Sequence, residues 1–345
     1  MKFDMMKGPS SWTHSAGIAR AVGEAGLSGM VFTETSQTPW MSLAAAAMAA
    51  PELELSTGIA VAFPRSPMVS AAIAWELAGN TRGRFRLGLG TQVRAHVERR
   101  YSAEFEHPGP RLRDYVLAVR ACFDAFAGRG KLAHEGEFYN LSLLPAAWVP
   151  PSHDFPDIKI DISAVGDWMC RMAGEVADGI HVHPLHSVHY LTERLRPAVA
   201  EGCARAGRQV SDVDLIVPVF VVAGDTAEER APLLRRAKEQ IAFYGSTKNY
   251  SFQFDDLGFT GLSSRLNDLL KAGDLDGMRD AITDDIVEQF AVVGRWDDIP
   301  AVLTSRYDGV AARLVTYLAE ETIDADPKAA ARWGEIARAI TRTAS

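Results

Sequence analysis

Five short stretches carry residue types on which chemistry could be built. Glu34 follows the apolar run Met30-Val31-Phe32. A carboxyl drawn out of water there suits a general acid or base, and it suits equally well an acceptor for nearby backbone N–H groups. Gly88-Leu89-Gly90-Thr91-Gln92 ends another apolar run; its glycines either turn the chain or let backbone approach a ligand closely. The charged segment just beyond, Arg94 to Arg100 with His96 inside it, is either a solvated helical turn or a rim for an anionic tail. Ser163-Ala164-Val165-Gly166-Asp167 leads from a strand into a helix. Free N–H groups at such a helix start form an anion site suited to phosphate, unless Asp167 caps them itself. Lastly, His181, His183, His186 and His189 fall within nine residues. His181 and His183 share a strand face, but no HxxxH, HExxH or paired carboxylate completes a metal set. A pocket-lining histidine is the better reading, and no metal is expected.

These stretches need elements to hold them. Candidate strands are Phe3–Met6, Met30–Thr33, Leu53–Ala62, Phe85–Leu89, Ile158–Ser163, Gly179–Val182, Leu215–Ala223 and Ala312–Tyr317. Helical periods lie between them: Leu112, Tyr115, Val116, Val119, Cys122, Phe123 and Phe126 recur at three and four residues, the spacing of one buried face. Leu191, Leu195, Val199 and Cys203 repeat the pattern. Ala25-Gly26 and Ala177-Asp178-Gly179 each lead from a helix into a strand, and glycine accepts the left-handed turn that ends a helix. Strand–helix alternation with short links implies parallel strands, and eight such units predict a closed (β/α)8 barrel. In that architecture the active site lies at the C-terminal strand ends, which is where every stretch above falls. Trp40, at a helix start after Pro39, reads as wall or core. Two long segments interrupt the alternation, about 131–156 and 245–285, and loops of that length in a compact domain are usually lids or interface elements.

Composition excludes other classes. The chain has 345 residues, 47% hydrophobic and 23% charged, so it folds. Length alone allows two domains; the alternation favours one enlarged barrel over residues 1–345. Its 36 basic and 44 acidic residues leave a net charge of −8, without the bulk basic field that nucleic acid or anionic lipid would need. Cys122, Cys170 and Cys203 form no CxxC pair and read as buried packing. No apolar run reads as a leader or a membrane span, so a cytoplasmic protein acting on a small molecule is expected. GxSxG and GxxxxGK[ST] are absent, and Val93 stands where GxGxxG would place its third glycine.

Several longer runs resemble the bacterial luciferase-like family of barrel oxidoreductases, in particular its coenzyme F420 branch. They are Met30 to Thr35, Ser56 to Ala78, Gly83 to Tyr101, Glu135 to Tyr139, Ala164 to Pro184 and Ile241 to Thr247, and the likeness extends from Met1 to about Leu318. The resemblance implies hydride transfer between coenzyme F420 and a small organic substrate at the barrel mouth. An FMN-dependent monooxygenase and a non-catalytic cofactor-binding barrel remain as alternatives. It implies a third-strand bulge under the cofactor ring at Gly58, Ile59 and Ala60, with a non-prolyl cis bond between Gly58 and Ile59. It assigns phosphate contacts to Ala164, Val165 and Gly166, and tail or ring contacts to Thr91, Gln92 and His96. The polar pair after the second strand becomes Glu34 and Thr35. Many relatives carry histidine where Thr35 stands, which moves the expected proton transfer to Glu34, or to His183 across the mouth. Trp40 and Phe63 become substrate-pocket wall. Relatives often pair through barrel helices, so a homodimer is expected.

Overall fold

The structure, a computed structural model, describes residues 1–343. Its centre is a closed ring of eight parallel strands: β1 (Lys2–Lys7), β2 (Gly29–Phe32), β3 (Glu54–Thr57), β4 (Phe85–Gly90), β5 (Lys159–Ser163), β6 (Gly179–His181), β7 (Asp214–Ala223) and β8 (Arg313–Thr316). Each strand pairs with the next in sequence, and β8 closes on β1 with Asp4 opposite Val315. The fold is the (β/α)8 barrel that the alternation predicts.

Helices cover the ring where the periodicity puts them. In α1 (Trp12–Ala25) the Ser11 hydroxyl accepts the His14 N–H, and Gly26 ends the helix at φ 87°. Helix α2 is Trp40–Ala49 and α3 is Pro67–Asn80. All seven apolar positions from Leu112 to Phe126 are buried along α4 (Pro108–Phe126). Helix α5 (Asp167–Val176) packs against α6 (Arg196–Arg205). The three cysteines are buried, and burial pushes the Cys122 and Cys170 thiols up to about 12.

Three features depart from the sequence reading. The expected single strand Leu53–Ala62 stops at Thr57, passes through a cis Gly58–Ile59 bond, and resumes as Ala60–Val61 beside Leu89 and Gly90. Gly179 is no helix-ending glycine: it lies inside β6, where an added Cβ would stand 2.4 Å from Asp161 Oδ1. A further parallel strand, Ala291–Gly294, pairs with Phe220–Ala223. The upper half of β7 outruns its ring neighbours, and its backbone groups need a partner.

The N-terminal end of the barrel interior is filled by paired charges. Arg313 donates to both oxygens of Asp4 (2.6 and 2.8 Å) and to Glu54. Arg86 donates to both oxygens of Asp161 (2.8 and 2.6 Å) and to Asp214 at 2.8 Å. Burial works against both guanidinium charges, but their carboxylate partners outweigh it and push both pKa values up.

The two long segments take different forms. Residues 131–156 start as a short ladder of His134–Glu135 with Asn140–Leu141, then run back over α3, where Trp75 donates to the Pro151 carbonyl at 2.9 Å. Residues 245–285 form short helices whose Phe254, Leu266 and Met278 are buried in a second apolar cluster against α7 (Ala227–Gly245). No helix among the described residues is long and apolar enough to cross a membrane.

Candidate active site

A cavity of 620 Å³ opens at the C-terminal strand ends. Gly58, Ile59 and His181 contribute to its base. On the β4–β5 side it is lined by Thr91, Gln92, Pro108, Gly109, Val165 and Gly166, and on the β6–β8 side by His183, Tyr244, Tyr250, Phe252 and Tyr317. Glu34 and Thr35 complete the rim from β2.

The bulge after β3 is clamped from β2. Glu34 Oε2 accepts the Val61 N–H at 2.8 Å and Arg65 Nη1 at 2.9 Å, while Arg65 Nη2 bonds Glu34 Oε1. The same Nη1 donates to the Val61 carbonyl at 2.7 Å. Both polar groups of Val61 are therefore held by one buried ion pair. Of the two readings of Glu34, acceptor for backbone N–H groups is the one whose bonds are present; both its oxygens are occupied.

Gly88 and Gly90 do not turn the chain; both lie within β4. An added Cβ at Gly88 would stand 1.9 Å from the Thr57 carbonyl oxygen, and at Gly90 2.5 Å from Ser163 Oγ. They are glycine because adjacent strands crowd inside the barrel. Beyond them Gln92 has φ 58°, uncommon for a residue with a side chain, and its Oε1 accepts the Val93 N–H at 3.0 Å. The basic rim is largely committed: Arg94 pairs with Glu98 and Glu106, and Arg100 donates to the Thr35 carbonyl.

The start of α5 is open. Gly166 is its N-cap residue and no side chain caps it. Asp167, the alternative occupant of those N–H groups, is instead the first helical residue. An added Cβ at Gly166 would meet no atom within 4 Å, and Gly166 lies at the cavity edge.

The histidines separate. His181 lies beneath the bulge with its Nε2 buried and unpartnered, 3.9 Å from Asp161 Oδ2. His183 Nδ1 accepts the Leu185 N–H at 3.1 Å, leaving Nε2 to carry the proton toward the cavity. His186 is buried behind it, with Nδ1 2.9 Å from the His183 carbonyl. Burial pushes all three down to about 4. One group of three possible metal ligands does occur, His14, Glu320 and Asp324, which the sequence reading missed. The buried ammonium of Lys7 already sits 2.5 Å from Glu320 Oε1, where it opposes a second cation.

Of the expected site residues, Glu34, Thr35, Gly58, Ile59, Thr91, Gln92, Val165, Gly166 and His183 line the cavity. Ala60 and Ala164 are buried behind it, and His96 is exposed on the Arg94–Arg99 turn. Trp40 and Phe63 are not among the residues that line this cavity. Trp40 is buried under the Arg65 guanidinium, and Phe63 packs between Phe105 and Arg111. Tyr244, Tyr250, Phe252 and Tyr317 were not foreseen. Only the run Ile241 to Thr247 hinted at them, because their approach depends on how 245–261 folds back over the mouth.

The sequence pattern of luciferase-like monooxygenases matches residues 2–313. The chain belongs to that family. An uncharacterised protein from Mycobacterium tuberculosis is 39% identical over 307 residues, 89% of this chain and 90% of that protein. The 5,10-methylenetetrahydromethanopterin reductase of Archaeoglobus fulgidus is 23% identical over 251 residues, 72% of this chain and 71% of that protein. Among solved structures, the coenzyme F420 dependent tetrahydromethanopterin reductase of Methanopyrus kandleri superposes with a TM-score of 0.79 at 16% identity, covering 100% of this chain and 99% of that one. A type II Baeyer–Villiger monooxygenase from Pseudomonas putida, in complex with FMN, gives 0.68 at 16% identity over 99% and 97% of the two chains. The luciferase-like fold is thus common to F420-dependent and FMN-binding proteins alike.

Proposed function

We propose that the chain transfers a hydride between coenzyme F420 and a small organic substrate at the barrel mouth. The observation that carries this reading is a single cavity joining the clamped Gly58–Ile59 bulge to the uncapped start of α5. A flat ring fits over the bulge, and an anionic tail fits beside Val165 and Gly166 at the uncapped N–H groups of the first turn of α5. Such a coenzyme, when bound, supplies the carbon that gives or accepts the hydride. The chain's residues do the rest. Glu34 and Arg65 act as positioning residues by holding Val61, and thereby the bulge, in place. His183, neutral near pH 7, offers its Nε2–H to a developing negative charge on the substrate. Tyr250 and Phe252 keep water from the reacting centre. This reading moves Glu34 from proton carrier to scaffold and leaves His183 as the residue facing the chemistry.

The test is a titration of cofactor-free protein with F420 and, separately, with FMN, followed by cofactor fluorescence. F420 binding at least tenfold tighter than FMN supports the proposal. Tighter FMN binding converts it to the monooxygenase, and no binding of either removes both. The same reading takes the protein to be a cytoplasmic homodimer folding as one unit, insertions included; sedimentation velocity and a single unfolding transition check these points.

A further inference from the structure

The β6–β8 side of the cavity is built unlike the side offered to the cofactor. His183 follows β6, Tyr317 follows β8, Tyr244 ends α7, and Tyr250 comes from the chain that folds back over the mouth. The hydroxyls of Tyr244 and Tyr317 lie 2.6 Å apart. Only one of them can donate to the other, so one O–H remains free for a ligand. The His183 ring stands edge-on to Tyr244 at 4.8 Å and lies 4.4 Å from Tyr250. With its Nδ1 accepting from Leu185, His183 adds a second free donor, Nε2–H. Burial keeps the Tyr244 and Tyr317 hydroxyls protonated by pushing both pKa values up.

Charge is missing from this wall. Among the described residues no lysine or arginine lines the cavity, and its one carboxylate, Glu34, is already neutralised by Arg65. A phosphorylated or carboxylated substrate would bring a charge here with nothing to pair it, at a large desolvation cost. The aromatic rings of Tyr250 and Phe252 instead contribute apolar carbon to the lining, with Arg194, which does not line the cavity, over one face of Phe252.

We propose that the His183–Tyr244–Tyr317 cluster binds the oxygen of an uncharged, conjugated carbonyl compound, whose planar body lies against Tyr250 and Phe252. Two donors converge on an acceptor-only oxygen and polarise its carbon. This inference deepens the hydride-transfer reading and rests on it for the identity of the reaction, though not for the binding itself.

The experiment uses 4-(dimethylamino)cinnamaldehyde, whose absorption moves to longer wavelength when its carbonyl oxygen accepts a hydrogen bond. It is added to cofactor-free protein, and binding with a red shift is expected. Tyr244→Phe/Tyr317→Phe and His183→Phe should each weaken binding at least tenfold and remove most of the shift, while the exposed Lys248→Ala leaves both unchanged. Replacing the dimethylamino group by a carboxylate should weaken binding at least tenfold. If the double tyrosine variant does not fold, as judged by circular dichroism, His183→Phe alone carries the test, because it removes the Nε2–H donor and leaves the Tyr244–Tyr317 pair intact. A probe that binds without a shift, a shift that survives both in Tyr244→Phe/Tyr317→Phe and in His183→Phe, or equal binding of the carboxylate overturns the proposal. A red shift that depends on these residues in a protein that binds no F420 supports this binding class and removes the hydride-transfer reading instead.

Discussion

The two ends of the barrel interior are both polar, yet their polar groups are arranged in opposite ways. At the N-terminal end the charges of Asp4, Arg313 and Glu54, and of Arg86, Asp161 and Asp214, are all paired across the ring. At the C-terminal end His181 Nε2 is buried without a partner, and the N–H groups at the start of α5 are uncapped. Polar groups paired within the protein secure the fold but have nothing left for a ligand. Those left unpaired at a cavity destabilise the free protein and retain their bonding capacity for whatever enters. One end is finished as structure, and the other is completed by binding.

Acidification should separate the ends most strongly. Burial holds His181, His183 and His186 down at about 4, against 6.5 for an ordinary histidine. The unfolded chain therefore binds more protons between those values. Stability from this source is complete above pH 6.5 and is lost as the pH falls toward 4, by on the order of 3 kcal/mol per histidine. Urea midpoints measured from pH 7.5 to 4 should fall across that window; a flat profile would break the contrast. Glu54 acts lower: burial raises its pKa, but Arg313 and Lys2 outweigh this and bring it below its usual value, so its contribution is lost only in stronger acid.

Asp4→Asn comes next, at about 3–5 kcal/mol in urea unfolding, because Arg313 would keep its buried charge with only Glu54 beside it. F420 affinity of the folded fraction should not change; if it did, the N-terminal end would not be purely structural. Glu34→Gln should cost about 2–3 kcal/mol and also weaken F420 binding several-fold, since the bulge loses its clamp. Stability loss with unchanged affinity would remove Glu34 from the positioning role.

The smallest stability change is expected for Gly166→Asp. A carboxylate there would cap α5 and raise stability by a few tenths of a kcal/mol, while lowering F420 affinity at least tenfold by occupying the donors. Opposite signs of the two effects would sharpen the view of this helix start as a ligand site. A gain in both would break it.

Much of this was legible in the residues. Alternation of apolar runs with 3.6-period segments specified eight parallel strands and the buried faces of α4 and α6, because strand and helix periodicities are local properties that the chain records directly. Barrel logic then brought Glu34, Thr91, Val165 and His183 to one mouth. The cis bond at Gly58–Ile59 was reached through family resemblance and not through periodicity, which ran straight through it.

What only the tertiary structure decided is who partners whom. Glu34 and Arg65 lie 31 positions apart, and Tyr244 and Tyr317 lie 73 apart. Nothing in either local sequence records such a meeting. The same holds for Trp40 and Phe63, whose aromatic character suits a pocket wall and a buried core equally; packing against Arg65 and Phe105 settled the choice. By itself the sequence determined the frame and the end of it at which chemistry could occur. The tertiary structure determined which polar groups are already bonded and which remain free, because that depends on distances across the barrel that no local pattern encodes.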